Sequence, residues 1–278
     1  MVVDEAHCVL DWGYTFRGAY LGVKNFINRL PSRPGVAAFT ATAPEEYRES
    51  ICKLLDMKKA KIYTSSLVRS NIILMKKDCS DYSFKEQLIC VKSYIKKYMQ
   101  DGRVIVYCGT HRNVDLISNY LLKKYPSNVA KCHADMDLED RYEQEIRFIN
   151  GKKHIMVATT AFGMGIDIPD IRLVIHFNLP LSVIDYYQQV GRAGRDGEKS
   201  HAVLLYNHND IELNRYILTH NGLSEDVQGW LYERLDEMVS IAESQNCLMQ
   251  QVLKALSEDH PSVCRHCSNC QKKRKGTS

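Results

Sequence analysis

A chain of 278 residues, 45 % hydrophobic and 25 % charged, is long enough for two domains and has the balance of an ordinary folded protein, which excludes a disordered segment. No apolar run is long enough to span a bilayer and Met1 does not open a charged-then-apolar leader, so neither a membrane span nor a signal peptide is supported and a cytoplasmic setting is expected. The net charge of +4 permits a nucleic-acid partner without requiring one.

Residues 1–68 predict a strand stub at Val2-Val3, a helix near 17–29, a strand at Val36–Phe39, a helix opened by Pro44 and a strand near 60–64. This is the rhythm of an α/β sheet with too few strands, so exposed apolar faces and unpaired strand edges are expected. From about residue 72 the rhythm is fuller. Phe84, Leu88, Val91, Ile95 and Tyr98 recur at the spacing of one helix face. Val104–Tyr107, a helix near 112–124, Val129–Cys132, a helix near 139–149 and Ile155–Ala158 follow. Leu173–Phe177 and Ala202–Tyr206 come last, separated by a helical stretch near 182–190. Such alternation gives a parallel sheet covered on both faces. After Asn209 the pattern is helical without a break to about residue 257, and Lys272-Lys273-Arg274-Lys275 reads as a solvated basic terminus.

Several groups of residues carry chemistry. Asp4 and Glu5 follow a strand stub, where one carboxylate can hold magnesium through water and its neighbour can orient an attacking water; four letters alone also fit an acidic surface pair. Trp12, Phe16 and Arg17 offer rings to bases and a cation to phosphate, or a packed core turn. Gly163 and Gly165 precede Asp167 in a turn that permits positive φ. Arg192 and Arg195, three apart among glycines, can both reach one anionic group.

Of ten cysteines, Cys8, Cys52, Cys79, Cys90, Cys108 and Cys132 are scattered and expected to be reduced, whereas Cys247, Cys264, Cys267 and Cys270 cluster with metal-site spacing. Four converging thiolates suit tetrahedral zinc, while the Cys-x2-Cys-x2-Cys spacing also suits an iron–sulfur cluster.

Asp4-Glu5-Ala6-His7-Cys8 followed by Trp12-Gly13, Phe16 and Arg17 resembles the DEAH box and aromatic-rich loop of RecQ helicases. Thr40-Ala41-Thr42 resembles the small hydroxyl motif that links ATP hydrolysis to DNA in superfamily two. Ala161–Asp167, and Tyr186–Gln189 with Gly191–Gly197, are similar to the fifth and sixth motifs of that family. The resemblance implies RecA-like parallel sheets, a truncated first domain at 1–70, a complete second at 71–208 and a small helical zinc-binding subdomain at 209–278.

It also implies an ATP-dependent 3′ to 5′ DNA helicase of repair and recombination, using ATP, Mg2+ and Zn2+. Asp4, Glu5, Arg192 and Arg195 would be catalytic, with Arg195 first choice as arginine finger. Asp4, Gly165, Asp167, Gln188, Arg192 and Arg195 would bind cofactor. Trp12, Phe16, Arg17, Thr110 and Thr159 would meet nucleic acid, and Cys247, Cys264, Cys267 and Cys270 would hold zinc. The same four-cysteine arrangement closes the family's helicase core, which sets the iron–sulfur alternative aside.

There are departures. Gly109 and His111 stand where the family carries asparagine and arginine, Cys132 where it carries tyrosine, and Leu248-Met249 where two arginines are common. Leu10, Asp11 and Tyr14 replace serine, glutamine and histidine. These changes remove polar groups that would sense DNA.

No phosphate-binding loop occurs in the sequence. Its one GK pair, Gly151-Lys152, follows a helix and is succeeded by Lys153. The chain is therefore expected to be deficient in ATP hydrolysis alone, as a fragment, split product or shortened reading frame. Its expected partners are single-stranded or partly duplex DNA and a separately encoded P-loop half, and the expected state is a monomer. The competing hypothesis is a non-catalytic, zinc-stapled single-strand-binding module; an RNA helicase of the DEAD-box kind ranks last.

Overall fold

The computed structural model describes residues 1–7, 22–163, 165–220, 222–259 and 263–275. It contains two sheets. The smaller pairs β1 (Val2–Val3) with β2 (Ala37–Ala38) in parallel. Around this ribbon lie α1 (Val23–Arg29) and α2 (Glu45–Leu54), the latter capped by Pro44 as expected. Val3, Ala6, Ile51 and Leu55 form its small core. The expected exposure is present: Phe39 is 58 % and Phe26 56 % accessible.

The larger sheet has six parallel strands in the order β3-β8-β7-β4-β6-β5. They are β3 (Ile72–Asp78), β4 (Arg103–Tyr107), β5 (Val129–Cys132), β6 (Ile155–Ala158), β7 (Ile171–His176) and β8 (Ser200–Tyr206). Every residue of β4 and β6 is buried, the mark of central parallel strands covered on both faces. Alternation along β4 divides the core. Val104 and Val106 meet α3 (Phe84–Tyr98) and α4 (His111–Leu122) on one face. Ile105 and Tyr107 join the opposite cluster with Phe148 of α5 (Leu138–Ile149) and Val183, Tyr186 and Val190 of α6 (Val183–Val190).

The helices start where their caps dictate. Ser83 and Glu86 form a reciprocal capping box on α3. Thr110, Asp137 and Ser182 each accept a backbone N–H at the starts of α4, α5 and α6.

The C-terminal helices pack on the face that carries α6. They are α7 (Asn209–Thr219), α8 (Glu225–Glu243), α9 (Leu248–Ala255) and α10 (Ser268–Lys275). Leu235, Met238, Val252 and Leu253 share one cluster with Tyr187 and Leu204. Arg234 of α8 stacks over Tyr47 of α2 and over Trp230, at 5.2 and 5.3 Å, and pairs with Glu46, so it binds the small sheet's helix to this module.

Three expectations are corrected. Residues 60–64 form no strand. They line a cavity with Val36–Phe39 of the β2 region without pairing to it, and Tyr63 is 86 % exposed. The stretch after Asn209 is broken twice, near Gly222 at φ +74° and at Ser244, whose backbone is extended. Ile72–Asp78, read only as the start of the fuller rhythm, is an edge strand paired with β8 over all seven residues.

Candidate functional site

The first group of candidate residues lies where the small sheet meets α6. Glu5 turns away from β1 in a left-handed conformation, φ +48°, and its N–H is 2.9 Å from Asp4 Oδ1. His7, two residues on, is buried and its Nδ1 is 2.9 Å from Thr40 Oγ1. Gln188 reaches across from α6, its Nε2 lying 2.9 Å from His7 Nε2 and 2.9 Å from Thr42 Oγ1. One amide group thus bridges the acidic motif and the Thr-Ala-Thr motif. The bridge fixes the imidazole: an acceptor at Nε2 carries its proton at Nδ1, which donates to Thr40, and Thr40 in turn donates to Thr42 O at 3.0 Å. Burial pulls His7 down to about 4, against the raising influence of Asp4, so the ring is neutral at pH 7.

The arginines stand on the turn after α6. Arg192 donates to Gly163 O, and a Cβ on Gly163 would lie 2.5 Å from its Cζ, so a side chain there would push the guanidinium off this carbonyl. Gly163 and Gly165 have φ of +122° and +70°, as their turn requires. Arg195 donates to Ile166 O and to Asp167 Oδ1, both at 2.9 Å. Burial raises the Glu5 pKa, with Asp4 adding to it, while Arg192 and Arg195 pull it back down. The two arginines therefore act electrostatically on Glu5 from the other side of the cleft. Burial holds the Tyr107 phenol up at about 12, opposed by Arg192 beside it.

A second group sits at the carboxyl ends of adjacent strands. Thr110 follows β4 and caps α4, and Thr159 follows β6, its N–H bonded to Cys132 O at 3.1 Å. His111 pairs with Asp135 at 2.6 Å and stacks on His133 with ring centroids 4.9 Å apart. Asn178 accepts from Gly109 N at 2.9 Å and from Asn113, and donates to the buried Asp210.

The third group is the cysteine cluster. The Sγ atoms of Cys247, Cys264, Cys267 and Cys270 all lie within 4.8 Å of one another. Four thiolates about 2.3 Å from a tetrahedral ion would be about 3.8 Å apart, so the residues fit such an ion with a small contraction. Cys264 N and Cys267 N each point at a sulfur, of Cys247 and Cys264, at 3.3 Å. Asn269 ties the knuckle to Ser244 O and Asn246 O. The Cys264 thiol and backbone N–H groups pull Cys267 below its ordinary value, while the Cys267 thiol and burial push Cys264 above its own, and burial and the Cys267 thiol do the same to Cys270.

Gln188 thus reaches His7 beside the acidic pair, Arg192 and Arg195 act on Glu5, and Asp167 is joined to Arg195, whereas Thr110 and Thr159 form a separate edge. Trp12, Phe16 and Arg17 lie outside the described residues. Gly151 ends α5 in the left-handed conformation, φ +69°, so the lone GK pair is a helix stop. Two residues that contact the arginine turn went unread: Arg69 and Asn71. The signal was a pair of hydrogen-bonding side chains directly before the buried strand β3.

Comparison with known proteins follows this geometry. Residues 86–197 match the family model described as helicase conserved C-terminal domain, and residues 208–271 match RecQ zinc-binding. The ATP-dependent DNA helicase RecQ of Bacillus subtilis is 34 % identical over 97 % of this chain, which covers 44 % of that protein. The RecQ-like DNA helicase BLM of Xenopus laevis is 35 % identical over 97 % of this chain and 20 % of its own length. The chain therefore spans less than half the length of these two relatives. Among solved structures, S. cerevisiae Dbp5 bound to RNA and ADP BeF3 aligns with a TM-score of 0.63 at 22 % identity, over 84 % of this chain and 62 % of that one; the fold is shared. The second family match and the cysteine geometry together support zinc as the ion. No described helix is long and apolar enough to cross a membrane.

His7 has an ordinary value of 6.5 when unfolded and about 4 when folded, so the unfolded chain binds the proton more readily. Stability present above pH 6.5 is lost as the pH falls to about 4, by at most roughly 3 kcal/mol from this residue. His176, held near 3 by burial, acts in the same direction. Urea unfolding between pH 7 and 4 should show the loss, with a shallower slope in His7→Gln; identical slopes would exclude His7 as a source. Metal analysis of the purified chain should find zinc, and Cys264→Ser or Cys270→Ser should remove most of it and lower the thermal midpoint. Unchanged metal content would rule out the four-cysteine site.

Proposed function

The chain belongs to the RecQ family, and from that premise we propose that it supplies the second motor domain and zinc-binding module of an ATP-dependent 3′ to 5′ DNA helicase. Residues 1–70 would be part of the first RecA-like domain, 71–208 the second, and 209–278 the zinc module. The observation that carries this reading is the Gln188 bridge to His7 and Thr42, with Arg192 and Arg195 acting on Glu5 from the same side. Residues of the second sheet's helix and turn converge there on an acidic pair, which is the arrangement phosphoryl transfer needs.

ATP and Mg2+, when bound, supply the reacting phosphoryl group and its counter-charge. The chain's own residues contribute as follows. Asp4 is suited to hold the ion through water. Glu5, raised by burial, is suited to orient the attacking water and accept its proton. Arg195, tethered to the exposed Asp167 and to Ile166 O, can swing to the transferring group, and Arg192 offers a second contact. The phosphate-binding loop lies outside these 278 residues. Among the described residues the β1–β2 ribbon pairs with no further strand, and this with the exposed Phe39 supports a P-loop half as the partner that completes the first sheet. Single-stranded or partly duplex DNA is the proposed substrate, met by Thr110 and Thr159 at the carboxyl edge and by Trp12, Phe16 and Arg17.

The test is ATP hydrolysis with and without single-stranded DNA, by the chain alone and mixed with a separately expressed P-loop half. Hydrolysis only in the mixture, reduced on the order of a thousandfold by Arg195→Ala, is expected. Silence in the mixture, with salt-sensitive single-strand binding retained, would instead establish the non-catalytic binding module.

A further inference from the structure

We propose that Arg69 and Asn71 are positioning residues for the arginine turn, and that Glu258 ties them to the cysteine-bearing helix α9. The segment 66–71 joins the small sheet to β3, and its contacts run in three directions. Arg69 donates to Ala193 O at 3.1 Å and Gly194 O at 2.9 Å, and approaches Gly191 O at 3.4 Å. Asn71 Nδ2 donates to Gly194 O at 2.8 Å and to Glu198 O at 3.0 Å. Gly191, Ala193 and Gly194 are the backbone on which Arg192 and Arg195 stand. Their carbonyls face a planar cationic fork and an amide, a pairing a lysine cannot reproduce.

The fit is close. Gly194 has φ +55°, and a Cβ there would meet Asn71 Nδ2, Glu198 O and Ser200 Oγ, each at 2.6 Å. The turn is therefore moulded around Asn71, and glycine is required by contact as well as by conformation.

The other direction leads to α9. Ser66 Oγ donates to Glu258 Oε1 and Leu67 N to Glu258 Oε2, both at 2.6 Å. The Tyr187 hydroxyl of α6 donates to Leu67 O. Glu258 stands just past α9, where Ser257 is left-handed at φ +60° and Glu258 N bonds back to Leu253 O at 2.9 Å. The N-cap of α9 is Cys247, a member of the cysteine cluster. One helix about 12 Å long thus has a metal-binding sulfur at one end and the clamp on segment 66–71 at the other. Val252 and Leu253 are fully buried, so the helix transmits position rather than bending.

Arg69 and Asn71 themselves need touch no nucleotide. They act by holding the backbone of the turn, and the consequence for phosphoryl transfer rests on the reading of Arg192 and Arg195 given above. The positioning itself is measurable without nucleotide, so a silent ATPase would leave this inference standing.

The experiment is amide hydrogen exchange on the whole metal-loaded chain, comparing peptides across 191–199 with those across β7 and β8. In Arg69→Ala, exchange in the turn should accelerate about tenfold or more while the strands stay protected. Added guanidinium ions, below denaturing concentration, should restore the turn where sodium does not. Glu258→Gln should loosen the same peptides less, with metal content unchanged. If Arg69→Ala fails to fold, Arg69→Lys and Asn71→Ala carry the same expectation, because both keep the buried core intact. An unchanged turn, or acceleration spread evenly through β7 and β8, would overturn the assignment.

Discussion

One side-chain amide holds the two halves of the candidate cleft in register. Gln188 has two N–H groups and spends them on His7 Nε2 and Thr42 Oγ1, one in each of two motifs from the small sheet. The arrangement works only while His7 is neutral, and burial keeps it so. A protonated ring would present N–H where an acceptor is required, and the bridge would be lost together with the alignment of Glu5 against Arg192 and Arg195. The turns beside it are fixed by their own glycines: Gly163 by its φ of +122°, and Gly194 by its φ of +55° and the close approach of Glu198 O and Asn71.

The parallel sheet makes this alignment possible by dividing its labour between two faces. Alternation along β4 sends Val104 and Val106 toward α3 and α4, and Ile105 and Tyr107 toward α6. The face with α6 also receives α8, α9 and the cysteine cluster. The zinc-binding module is consequently part of the same core as the arginine turn, through Val252, Leu253 and Tyr187, rather than an appendage. Removing its metal would disturb packing under the catalytic candidates. The nucleic-acid candidates Thr110 and Thr159 lie apart, at the carboxyl ends of β4 and β6, where open parallel sheets usually meet ligands.

Much of this was legible in the sequence, for reasons that differ by element. β4, β6 and β7 are short apolar runs with no other use for their residues, and their positions follow directly. The helices of the second sheet were legible from apolar spacing such as Phe84, Leu88, Val91 and Ile95, while the caps Ser83 with Glu86, Thr110 and Ser182 fix where they start. The Gln188, Arg192 and Arg195 cluster could be named from motif wording, but its partners could not, since His7 and Thr42 lie about 146 to 181 positions away. Ala60–Thr64 has strand-forming side chains but is paired with no strand among the described residues, and a strand is a property of two segments. The breaks at Gly222 and Ser244 were hidden by apolar residues continuing on both sides. Arg69 and Asn71 escaped notice because their work is done on main-chain carbonyls, which leave no trace in residue types.

The bridge itself can be weighed by a double-mutant cycle on His7 and Gln188, using His7→Ala, Gln188→Ala and the pair, with urea unfolding at pH 7. A coupling on the order of 1 kcal/mol, the worth of one buried hydrogen bond, is expected. Strict additivity of the two losses would mean that Gln188 does not seat on His7, and the cleft described here would not be held as proposed.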